Sequence, residues 1–149
     1  MKIIDFNLNQ ASGFAIASAR VIFEVCSRPE QQVFIKTPLS FAKGFGASPD
    51  AFLVGCLLPA LHLGERRIFM DQAVCPFLKE GLGVVMKLLS HWTRDRPEDR
   101  RYSPIKIEAK TRETMSILTS PRAGMVMSGG MDSLAALRLN RLHYPKTQK

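Results

Sequence analysis

The stretch that most limits what this chain can become is Ser128-Gly129-Gly130-Met131-Asp132-Ser133. A short apolar run, Gly124 to Met127, precedes it, and Leu134-Ala135-Ala136-Leu137-Arg138-Leu139 follows. That order predicts a strand, a glycine turn and a helix start, which is an α/β arrangement. Two adjacent glycines accept positive φ angles and let an anion approach the backbone without meeting a Cβ. The helix start adds N–H groups without intrahelical acceptors and the positive end of the helix dipole. Ser128 and Ser133 bring hydroxyls to the same spot, and Asp132 stands where a short carboxylate caps well. These residues predict phosphate binding. A plain turn joining strand to helix would use the same residue types, because Ser, Gly and Asp all favour turns.

SGGMDS resembles the SGGxDS signature of the PP-loop ATP pyrophosphatases. That superfamily includes GMP synthetases, the synthase domain of asparagine synthetase, tRNA-modifying lysidine and thiouridine synthetases, and 7-cyano-7-deazaguanine synthases. The motif is not a Walker A loop, which needs a Lys directly before its Ser or Thr; Met131-Asp132 occupies that place. The resemblance covers residues 124–143, with a fainter likeness upstream to the deazaguanine synthase branch. It implies binding of ATP with Mg²⁺ and cleavage between the α and β phosphates. The substrate would be activated as an adenylate for attack by ammonia, an amine or a sulfur donor, with pyrophosphate released. Ser128, Gly129 and Gly130 would then cradle the β and γ phosphates. Ser133 would add a hydroxyl and an amide, and Asp132 would hold the turn or help place Mg²⁺. No nucleophile or general base is implied among these residues.

The chain continues only to Lys149. A nucleotide-binding α/β sheet needs several βα units of about 30 residues each. The expectation is therefore the N-terminal part of a longer enzyme, inactive as it stands. Residues 1–93 would form an α+β domain, 94–103 a charged linker, and 104–149 the beginning of a truncated PP-loop domain. The competing reading is a binding or scaffold domain that contacts RNA or a protein partner and carries a vestigial phosphate loop.

Composition narrows the partners. A net charge of +8 suits an anionic partner such as ATP or pyrophosphate, RNA, or an acidic protein. The charges are scattered, with few interleaved aromatics, so RNA is the weaker expectation. A small-molecule substrate of the longer enzyme and self-association both stay open. Cys26, Cys56 and Cys75 have no CxxC spacing and read as free buried thiols rather than metal ligands. The N-terminus carries Asp5 and no apolar core of signal-peptide length. The apolar run from Ala51 to Leu63 is too short to span a bilayer and contains Pro59. The expected location is the cytoplasm.

Upstream, Ile4, Phe6 and Leu8 alternate with polar residues and predict a half-buried strand. Phe14 to Val25 and Gln32 to Lys36 predict two more, joined as an antiparallel meander. Ser48-Pro49-Asp50 is a helix start, and the helix after it, apolar on nearly every face, is predicted to be wholly buried. Lys43 to Ala47 could cradle an anion or simply connect, and His62 reads as incidental to the helix end. Arg66 to Met70 predicts a strand. Pro76 to Trp92 predicts an amphipathic helix with Leu78, Leu82, Val85, Leu89 and Trp92 on its core stripe. Ile105 and Ile107 alternate as another strand, and Ile117-Leu118 predict a further short strand before the motif.

Overall fold

A computed structural model describes residues 1–97, 102–113 and 128–143. The chain divides into two compact units, Met1–Thr114 and Met115–Lys149. The first is an α/β unit built on a five-stranded sheet of order β3-β2-β1-β4-β5. Its strands are β1 (Lys2–Ala11), β2 (Phe14–Ile22), β3 (Gln31–Pro38), β4 (Arg67–Met70) and β5 (Lys106–Glu108). Helix α1 (Pro49–His62) precedes β4, and α2 (Pro76–Trp92) links β4 to β5.

The first three strands form the expected antiparallel meander. Ser12 and Gly13 close the first hairpin with φ of 51° and 80°, the left-handed pair that a two-residue turn between twisted strands requires. β4 runs parallel to β1, and β5 parallel to β4. Parallel neighbours need crossover connections, which the helices supply.

The alternation in β1 departs from the sequence reading. Its pairing with β2 is irregular between Ile4 and Asn7, and Asp5 has φ of 57°. A bulge of this kind shifts the side-chain phase. Ile3, opposite Val21, is therefore fully buried and Phe6 packs on the core; Leu8 pairs with Ala17 on the same face yet is 48% exposed. Ala17, Ala19 and Val21 alternate inward from β2 into one buried cluster with Phe52, Leu53, Leu57, Ala60 and Leu61 of α1. Ile68, Met70, Ile107, Leu82 and Met86 complete the same cluster. Phe6 meets Phe52 edge-on, with ring centroids 5.5 Å apart.

Two helix expectations need correction. α1 starts at Pro49 as predicted, yet it is not buried all round: Val54 and Leu58 lie half-exposed on its outer side. Apolar character on every face does not create a second layer to cover it. In α2, Leu82 and Met86 are buried while Val85 and Trp92, assigned to the core stripe, are exposed.

The charged stretch after α2 does not lead out of the first unit. Tyr102 donates its N–H to Thr93 Oγ1 at 3.1 Å, and β5 then pairs with β4. Thr111 bridges to Val74 beyond it. Residues 104–113, assigned from sequence to the second domain, thus belong to the first, because Ile107 finds its burial beside Ile68.

In the second unit, helix α3 (Met131–His143) follows the glycine turn as expected. The strands predicted at Gly124–Met127 and Ile117–Leu118 lie outside the described residues. Among the described residues, no helix is long and apolar enough to cross a membrane.

Candidate phosphate loop

Ser128, Gly129 and Gly130 are exposed and lead directly into α3. Gly129 has φ of 78°, a left-handed conformation in which a side chain would be strained, so a glycine is needed there. The first α-helical bond runs from Leu134 N–H to Gly130 O at 3.2 Å. The N–H groups of Met131, Asp132 and Ser133 come before it and have no intrahelical acceptor. They form the anion-attracting end of α3.

The two serines are already used by the turn. Ser133 Oγ donates to Gly130 O at 2.8 Å, and the Gly130 N–H points to Ser128 Oγ at 3.4 Å. The two hydroxyl oxygens are 3.4 Å apart. With the Ser133 proton committed to Gly130 O, Ser128 is the donor of that pair. The long contact is weak and easily given up, whereas the short one is not. Ser128 can therefore turn its hydroxyl to an incoming anion. Ser133 is only 8% exposed, and its hydroxyl fastens the turn rather than facing outward. Asp132 lies exposed in the first turn of α3, and among the described residues its carboxylate makes no hydrogen bond or ion pair.

All five sequence-predicted site residues are thus gathered within one turn and one helix start. The residues suit a phosphate chain: two open glycines, a free-turning hydroxyl and a helix N-terminus. Among the described residues, no three His, Cys, Asp or Glu side chains converge as a metal site. Mg²⁺ carried on phosphates needs only one or two protein carboxylates, and Asp132 is the one at this loop.

The ionic centre of the first unit was not legible in the sequence. The Met1 ammonium is buried and donates to Glu65 Oε2 at 2.5 Å, Glu24 Oε2 at 2.9 Å and Arg67 O at 2.9 Å. Glu65 is fully buried and also accepts the N–H groups of Glu24 and Val25. Arg67 bridges Glu24 and Glu108, each at 2.7 Å. The Arg67 guanidinium, followed by the Met1 ammonium, holds the Glu24 carboxyl down at about 2. Glu108 is likewise lowered, by Lys106 first and then Arg67. Every one of these charges has a partner, so the cluster is structural.

A cleft of about 570 Å³ on the sheet's open face is lined by Asp5, Asn7, Ser18, Arg20, Glu30 and Gln32 among others. Arg20 is paired there with Asp5 and Glu30, which leaves no free positive charge for an anion among the described residues that line it. The cysteines are free, but only Cys56 is buried, with Cys26 and Cys75 partly exposed; burial pushes the Cys56 thiol up to about 11.

No protein-family model, curated protein or solved structure matches the chain.

Proposed function

We propose that the Ser128–Ser133 turn binds the phosphate chain of ATP or pyrophosphate and belongs to an adenylating enzyme of the PP-loop ATP pyrophosphatase type. The observation that carries this reading is the turn itself: Gly129 at positive φ, exposed and followed directly by the start of α3, whose first-turn N–H groups have no intrahelical acceptor. The residue identities in SGGMDS support the family assignment.

In this reading Mg²⁺-bound ATP supplies an electrophilic α-phosphate and a pyrophosphate leaving group. The chain's own residues hold and neutralise. Gly129, Gly130 and Met131 offer backbone N–H groups to the β and γ oxygens, and Ser128 swings its hydroxyl from Ser133 to the same group. Ser133 keeps its hydroxyl on Gly130 O and contributes its N–H alone. Asp132 stands at the helix start as the carboxylate for Mg²⁺. Stabilisation by fixed donors of this kind is the main protein contribution to phosphoryl and nucleotidyl transfer. The substrate that receives the adenylyl group is bound by residues other than these.

Calorimetry with inorganic pyrophosphate and Mg²⁺, on this chain and on Gly130→Trp, tests the proposal. An indole at Gly130, whose Cβ position lies 3.5 Å from Ser128 Oγ, fills the space over the turn. Binding in the micromolar to millimolar range that the variant loses is the expected result. Equal binding by both chains, or none by a folded chain, contradicts the reading and favours a non-catalytic binding domain.

A further inference from the structure

Helix α2 carries a second apolar stripe that the core does not use. Phe77, Val84, Val85, Leu88 and Trp92 are all exposed, by 41% to 68%, and Gly81 lies among them. At ~100° per residue these six positions fall within an arc of about 100°, running about 24 Å along the helix. The buried residues Leu82 and Met86 occupy the neighbouring arc. Five such side chains expose on the order of 500 Å² of apolar surface, as much as a monomer ordinarily leaves bare in one patch.

The stripe is self-complementary. When two copies of α2 are laid antiparallel about a two-fold axis between Val84 and Val85, Phe77 of one meets Trp92 of the other. Leu88 meets Gly81, where an added Cβ would find nothing within 4 Å, so a notch faces a large side chain. Val84 meets Val85. The charges obey the same symmetry. Glu80 and Lys87, both exposed, lie on one edge of the stripe, and residues on the same edge face each other across an antiparallel two-fold pair. Glu80 of each copy then lies beside Lys87 of the other, which gives two equivalent ion pairs. A two-fold interface requires a surface complementary to itself, and this one is so in size, shape and charge.

We infer that α2 is a homodimer interface, formed with a second copy of this chain in antiparallel register centred between Val84 and Val85. The patch and its polar edge together approach the ~800 Å² per partner of a standard interface. This inference is independent of the phosphate loop and survives if that reading fails.

Sedimentation equilibrium on the full chain, combined with tryptophan fluorescence, tests it. Trp92 is the one tryptophan in the sequence, so its emission reports this face alone. A dimer whose emission shifts to shorter wavelength as it forms is expected. Leu88→Glu, at an exposed position, should fold with an unchanged circular dichroism spectrum and weaken dimerisation at least tenfold. Glu80→Lys and Lys87→Glu should each weaken it several-fold through two like-charge contacts, and the double reversal should restore it. A chain that stays monomeric to 100 µM, a dimer that Leu88→Glu leaves intact, or charge reversals whose effects simply add overturns the inference.

Discussion

The two units of this protein differ in what defines them. Met1–Thr114 is defined by burial: one sheet face and two helices close on Ile3, Leu53, Ile68 and their neighbours, with a fully paired ionic cluster at the edge. The described part of Met115–Lys149 is defined by backbone geometry. In α3 only Ser133 is buried, while Met131, Leu134, Leu139 and Leu142 are exposed. Among the described residues, the part with stability carries no evident chemistry, and the part with a chemical motif buries only Ser133 of its helix. Ligand-binding loops are commonly drawn from the weakly packed end of a structure, because a site must stay open to its ligand.

The sharpest way to break this comparison is to truncate matched leucines. Leu53→Ala should cost about 3–4 kcal/mol in urea unfolding, since it opens a cavity where nothing was exposed, while Leu139→Ala should change stability by less than about 0.5 kcal/mol. Equal effects would mean α3 is as deeply packed as α1.

Next in size is Glu65→Ala. It removes the buried carboxylate that holds the Met1 ammonium together with Glu24 and Arg67 O, leaves the Glu24 and Val25 N–H groups without their acceptor, and should destabilise by about 3 kcal/mol. The same loss should not appear in hydrogen exchange of the α3 amides.

A pH series sharpens the role of the ionic cluster. The Glu24 carboxyl titrates near 2 when folded, below its ordinary value of 4.5. The unfolded chain therefore takes up the proton first as the pH drops. The stabilisation from Glu24 is fully present above about 4.5 and disappears as the pH falls toward 2. Unfolding of Glu24→Gln should accordingly vary less across that window than unfolding of the native chain, and identical slopes would remove Glu24 from the account.

A smaller loss than at Leu53 or Glu65 belongs to the turn. Ser133→Ala deletes the bond to Gly130 O and should weaken the start of α3 by about 1 kcal/mol, seen as faster exchange of the Leu134 amide.

Local features were the legible ones. Ser48-Pro49-Asp50 starts α1, Pro76 and Trp92 bound α2, and SGGMDS opens α3 because caps, prolines and glycines act within a few residues of themselves. Long-range choices were not. Nothing in the alternation of Ile105 and Ile107 says that their strand pairs with β4, more than 35 positions earlier, rather than opening a new domain. The φ of 57° at Asp5, which shifts the phase of β1 so that Ile3 and Phe6 both face the core, has no glycine to announce it. Glu65 looked like one more charge after a helix; its burial depends on the Met1 ammonium, 64 positions away. Within the candidate site, the residues were legible but the use of the Ser133 hydroxyl was not, since it depends on how the turn closes.

The central claim is that the Ser128–Ser133 turn holds phosphate through its backbone. It is tested most directly by following the amide resonances of the ¹⁵N-labelled chain while adding Mg²⁺ and pyrophosphate. The account predicts saturable shifts concentrated at Gly129, Gly130, Met131, Asp132 and Ser133, with the sheet of the first unit unmoved. Shifts centred on the first unit, or none at the glycines at millimolar pyrophosphate, would contradict it.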